Sequence, residues 1–151
     1  MTPAETFGAR AIRPRVYDRR MAIVDHLGIT VDDLDLSAAQ FDAVLGALGF
    51  ERSDADGSVA WWREGEPELI LFAPRERGTH VHGRIGWQHL AFEVGSRAEV
   101  DRLHEIAVTA GWQTVRDPKP YPRFNERYYA AFVEDACGIR VELMHNPPPA
   151  A

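Results

Sequence analysis

Apolar and polar positions follow two periods along this chain, and their order repeats. The run Ile23-Val24-Asp25-His26-Leu27-Gly28-Ile29-Thr30-Val31 has the short apolar pattern of a core strand. Phe41, Val44, Leu45 and Leu48 then fall at i, i+3, i+4 and i+7, the single apolar stripe of a helix. Ser37 is the expected N-cap and Gly49 the residue just past the helix end. Three strand-like pieces follow, at 50–52, 58–63 and 68–73, with Asp54-Ala55-Asp56-Gly57 as a turn.

The second half runs through the same sequence of elements. Gly86-Trp87-Gln88-His89-Leu90-Ala91-Phe92-Glu93-Val94 lays over the first strand with His-Leu in the same place, positions 26 and 89 being 63 apart. Val100, Leu103, Ala107 and Ala110 form the second helical stripe. Ser96 and Glu99 stand at capping-box spacing, and Gly111 ends the helix. Both closing glycines precede an aromatic, Phe50 or Trp112. Strand-like pieces at 112–115, 127–134 and 139–145 complete the set, and Asp135-Ala136-Cys137-Gly138 reads as a tight hairpin turn.

The pattern predicts an α+β fold of two βαβββ modules, forming a curved mixed sheet around a cleft with the helices outside. The expected organisation is an N-terminal arm at 1–21, one domain at 22–147 and a tail at 148–151. Within the domain, module 1 covers about 22–75 and module 2 about 85–147.

Composition narrows the function. With 45% hydrophobic and 26% charged residues, the 151-residue chain is globular in character. A net charge of −6 argues against nucleic acid as a partner, despite the cluster of Arg10, Arg13, Arg15, Arg19 and Arg20 in the arm. No apolar run reaches bilayer length and no signal-peptide pattern follows Met1, so the expectation is a cytoplasmic protein with no membrane partner. The lone Cys137 can form no internal disulfide.

Strand parity then selects chemistry. If His26 and His89 face the cleft, so do the small residues Gly28 and Ala91. On the last strand Val141 and Leu143 suit the apolar layer, which turns Glu142 toward the cleft with Arg140 and Met144. A carboxylate between Val and Leu on a core strand is costly unless something binds it. Two imidazoles and a carboxylate around a divalent ion would answer that cost and leave positions open for substrate. Tyr128 and Phe132 share Glu142's face. Tyr128 is the candidate proton donor, and Trp62, placed as the repeat partner of Phe132, joins Phe132 and Arg140 as candidate substrate-binding residues. His80 and His82 precede the second module and read first as loop histidines, with a place at the site mouth as the alternative.

Three segments carry a resemblance: 24–29 (Val24-Asp25-His26-Leu27-Gly28-Ile29), 88–94 around His89, and 128–142 from Tyr128 to Glu142. Together they resemble the vicinal-oxygen-chelate proteins, the glyoxalase / bleomycin-resistance / dioxygenase superfamily. The resemblance implies paired βαβββ modules and metal ligands on the first strand of each module and on the last strand, here His26, His89 and Glu142. Glyoxalase I enzymes add a carboxylate on the last strand of the first module. Ile70 stands there in this chain, so a three-ligand site of the dioxygenase, lyase, isomerase or transferase kind is expected.

Two functions follow from the resemblance. One is an enzyme using one divalent ion (Fe, Mn, Ni or Zn) on a small substrate that chelates it through oxygen. The other is a non-catalytic protein that sequesters a small molecule, as bleomycin-resistance proteins do. A homodimer is the expected assembly, with the cleft formed either within a chain or across the two.

Overall fold

The computed structural model describes residues 24–149. The arginine-rich arm expected at 1–21 lies outside them. The order is β1 (His26–Thr30), α1 (Leu34–Ala47), β2 (Glu51–Ala55), β3 (Ser58–Trp62), β4 (Glu68–Phe72), β5 (Leu90–Glu93), α2 (Arg97–Thr109), β6 (Gln113–Pro120), β7 (Tyr129–Glu134) and β8 (Arg140–His145). These are two βαβββ units, each a four-stranded mixed sheet, ordered β1-β4-β3-β2 and β5-β8-β7-β6.

The duplication extends to register. Gly28 pairs with Ile70 where Ala91 pairs with Glu142, each across a parallel strand pair. Ala60 lies opposite Ile70 as Phe132 lies opposite Glu142. The partner of Phe132 in the repeat is therefore Ala60, two residues before the Trp62 expected from sequence. Trp62 corresponds to Glu134, at the strand end.

Both helices bury the predicted stripes, Phe41, Val44 and Leu45 in α1 and Val100, Leu103 and Ala107 in α2. Ser96 caps α2 by accepting from the Glu99 N–H. The cap of α1 is Asp33, which accepts from the Leu36 N–H, and not Ser37. Ser37 is fully buried and donates instead to Asp135 of the second module at 2.7 Å. A hydroxyl taken by a distant carboxylate is not available to cap its own helix.

The two helices lie against each other between the sheets, and among the described residues no strand of one sheet neighbours a strand of the other. One apolar core joins the units: Phe41 of α1 meets Trp61 of β3 and Trp112 beside α2, with ring centroids 6.2 and 4.8 Å away. The Trp112 indole N–H donates to the Gln40 carbonyl, and the Ala136 N–H donates to the Gln40 side chain. Burial against that core raises the Asp135 carboxyl above its usual value, although Ser37 and the N–H groups of Cys137 and Ile139 donate to it. Gly138 closes the β7–β8 turn at φ +81°, and a Cβ there would stand 2.7 Å from the His80 carbonyl oxygen. Any side chain at 138 would thus be strained and would displace the 73–89 connection.

With the helices between them, the outer face of each sheet is left open within a single chain. On the first sheet that face carries His26, Gly28 and Thr30, Ile70 and Phe72, and Ala60 and Trp62. On the second it carries His89, Glu142, Met144, Ala130 and Phe132.

Candidate functional site

The chemistry collects on the open face of the second sheet. β8 sets Glu142 with Val141 and Leu143 on its core side, and the carboxylate is 3% exposed. Two side chains hold it. His89, at the start of β5, brings Nε2 to 3.0 Å from Oε2, and the Tyr128 hydroxyl donates to Oε1 at 2.9 Å. The other imidazole nitrogen of His89 faces the Gln88 side-chain oxygen, and its ring meets the edge of Phe132 at 5.7 Å. Burial first, and then the hydrogen bond to Glu142, push the Tyr128 phenol up to about 12. At neutral pH it therefore keeps its proton and serves as a donor.

These groups line a cavity of about 240 Å3, with Arg116, Arg123, Phe124 and Arg140 completing its wall. Arg140 is tied to Glu134, at 2.5 and 2.8 Å, and meets the His82 ring at 3.0 Å. His82, on the connection before β5, touches Arg140 of the wall without lining the cavity itself. Tyr121 backs the cavity. Its ring packs against Phe124, Tyr128 and Phe132, and its hydroxyl is buried with no partner among the described residues.

Five of the seven residues singled out from sequence come together here: His89, Glu142, Tyr128, Phe132 and Arg140. The other two lie on the first sheet. Trp62 is half-buried at the end of β3, away from this cavity. His26 is exposed at the start of β1, with its Nδ1 at 2.9 Å from Asp25. Sequence reasoning missed Arg116, Arg123, Gln88 and Phe124. β6 was expected to stop at Val115 because Pro118 and Pro120 follow. β6 is an edge strand, however, where proline's missing donor is tolerated, and it continues to Pro120, carrying Arg116 opposite Phe132.

Imidazole nitrogen and carboxylate oxygen are suitable ligands for a divalent transition ion. His89 and Glu142 supply one of each at 3.0 Å from one another, and a buried carboxylate with no lysine or arginine partner among the described residues suits a cation. Among the described residues, no group of three His, Cys, Asp or Glu side chains lies close enough to hold an ion. One chain therefore offers a donor set of two, compatible with a metal and one ligand short of the three expected.

The comparisons with known proteins agree with the duplicated architecture. The family model of the glyoxalase/bleomycin resistance protein/dioxygenase superfamily matches residues 23–143. The chain belongs to this superfamily. The protein YqjT of Bacillus subtilis is 28% identical over 123 residues, covering 79% of this chain and 95% of YqjT. PA2024 of Pseudomonas aeruginosa is 31% identical over 129 residues, covering 82% and 88%. A crystal structure of a glyoxalase/bleomycin resistance protein from Albidiferax ferrireducens superposes with a TM-score of 0.70 at 22% identity, over 82% of this chain and 99% of that one. That likeness establishes the fold. No helix among the described residues of this superfamily member is long and apolar enough to cross a membrane.

Proposed function

We propose that this superfamily member is a divalent-metal-dependent enzyme. Its substrate is small and meets the metal through oxygen, and the third ligand, His26, comes from a second copy of the chain. The observation that carries the reading is the 3%-exposed Glu142 carboxylate, held by one imidazole and one phenol at the floor of a cavity. Such a group is costly to bury unless a partner compensates it.

The arrangement of the sheets supports the second copy. β1 and β5 are both edge strands, and His26 and His89 stand at matching places where they begin. The open face of the first sheet carries Glu68 beside His26 and is otherwise mostly apolar, with Ala60, Trp62, Ile70 and Phe72. Laid over the second sheet of another copy, that face would add an imidazole and an apolar floor to His89 and Glu142. The resulting homodimer would hold two equivalent sites, as a twofold interface requires.

Bound there, a divalent ion would fix a substrate oxygen and stabilise negative charge developing on it. The chain's own residues do the rest. Glu142 and His89 hold the position, and Gln88 orients the His89 ring. Tyr128 keeps its proton and presents it beside Glu142, in reach of a substrate oxygen in the cavity. Phe132 supplies an apolar wall that limits water. Arg140, neutralised by Glu134, is a fixed part of that wall.

Metal content and complementation test this together. His26→Ala, His89→Ala and Glu142→Ala should each lose the ion retained by the wild-type chain purified without chelator. Refolding H26A together with E142A should restore one intact site per mixed dimer, because one copy keeps a native His26 and the other a native His89 and Glu142. Unchanged metal in all three variants defeats the metal reading, and failure of mixing to restore it defeats the shared site.

The direct contact between His89 and Glu142 favours a second reading, a sequestering protein whose site is closed by that pair and requires no metal. Tight one-to-one ligand binding by metal-free protein, without turnover when metal is supplied, would select it.

A further inference from the structure

The cavity wall carries more positive charge than its carboxylates balance. Of its three arginines, Arg140 is paired with Glu134. Arg116 and Arg123 have no carboxylate partner among the described residues, in a chain whose net charge is −6. Each guanidinium instead lies over an aromatic ring of the same wall, Arg116 over Phe132 at 5.2 Å and Arg123 over Phe124 at 4.6 Å. Stacking of this kind holds the guanidinium plane while leaving its edge N–H groups free, and that edge matches the two oxygens of an oxyanion. Phe124 is 57% exposed, a large apolar side chain left at the mouth beside Arg123. A cavity of about 240 Å3 is below the roughly 300–1,000 Å3 typical of drug-sized ligands.

We infer that the site takes a small organic oxyanion, a carboxylate or a phosphoryl group on an apolar body. The anion sits on Arg116 and Arg123, the body lies against Phe132 and Phe124, and the far end points to His89 and Glu142. The inference rests on the proposed function for what happens at that far end, and not for the anion's seat. Arg116 and Arg123 are specificity-determining: they choose charged substrates over neutral ones and fix which end enters first. An oxyanion there also offsets two like charges facing one cavity, which a neutral ligand leaves uncompensated.

Calorimetric titration of the metal-free full-length chain tests it with three probes of similar size: benzoate, phenylphosphonate and the neutral benzamide. At least one anion should bind about tenfold or more tightly than benzamide, and the tighter of the two identifies carboxylate or phosphoryl as the natural group. Binding should weaken as salt is raised. The double variant R116Q/R123Q should lose the preference for anions while keeping the wild-type melting temperature, since both side chains are exposed. R102Q, on α2 away from the cavity, should keep it. Binding of benzamide as tight as that of both anions, no binding of either anion, or an undiminished preference in R116Q/R123Q overturns the inference. Metal content is measured on the same preparations. Metal retained without anion preference overturns the substrate class alone. Anion preference in a chain that never takes up metal supports the substrate class and overturns the proposed function.

Discussion

Where the first sheet sets Ile70 opposite Gly28, the second sets Glu142 opposite Ala91. Strand order and the pairing at these positions are the same, yet one open face is mostly apolar with an imidazole beside Glu68, and the other holds a buried carboxylate, a phenol and two guanidinium groups with no carboxylate partner among the described residues. A duplicated scaffold lets one copy concentrate polar groups while the other keeps a surface suited to covering them. The asymmetry continues inward. Trp61 fills the first unit's core at the place where the second uses Val133, since Trp61 faces Leu69 as Val133 faces Val141. At the β3–β4 turn the first unit is exposed to water, whereas the equivalent β7–β8 turn plugs Asp135 into the other unit.

The core difference gives the strongest test. Trp61 is fully buried, and its indole N–H donates to Asp42. Trp61→Ala should cost about 3–5 kcal/mol in denaturant unfolding. Val133→Ala should cost about 2 kcal/mol, from about 0.8 kcal/mol per buried carbon. Equal losses would mean that the two cores are equally dependent on these positions.

Glu142→Ile converts the second face to the first at its deciding position. Metal affinity should fall by about 100-fold or more, as for losing a ligand and not merely its support. The melting temperature should hold or rise, because an apolar side chain replaces a buried charge. A destabilised E142I would show that the carboxylate serves the fold and not the site.

The plugged turn predicts a pH effect of smaller size. Burial raises the Asp135 carboxyl above 3.8. Its contribution to stability is therefore complete below that value and declines as pH rises through the raised one. Asp135→Asn lacks this decline, so the gap between wild type and variant in urea melts should narrow from pH 4 to pH 7. A widening gap would contradict the assigned cause.

The helix caps should respond alike. Asp33→Ala and Ser96→Ala each remove one side-chain acceptor from an N-terminus and should cost about 1 kcal/mol apiece. A much larger loss at Asp33 would mean that releasing the cap also displaces the backbone groups of residue 33 that meet Cys137.

The symmetric part of this molecule was readable in the chain and the asymmetric part was not. Strand parity placed Glu142, Tyr128 and Phe132 on one face, because alternation is a local property of each strand and the repeat cross-checks it. The resemblance put His26, His89 and Glu142 on one ion; within one chain the fold brings His89 to Glu142 and leaves His26 on the other sheet. How the units sit relative to each other depends on contacts between residues some hundred positions apart, such as Ser37 with Asp135, and no local period records them. The same contact moved the cap of α1 to Asp33. Trp62 was misaligned by two residues because a shift of two keeps the same face, so alternation does not detect it and only the pairing with β4 decides. Arg116 was hidden by the prolines of an edge strand, and Arg123 by a loop whose position no pattern specifies.

The single interior shared by Phe41, Trp61 and Trp112 has a consequence for how the halves lose their order. Neither half encloses its own apolar residues, so heating should produce one calorimetric peak whose van't Hoff and measured enthalpies agree, with no surviving half-molecule. Damage at any point of that interior is then felt at the opposite end of the protein. The two units differ in chemistry, yet they should melt as one body.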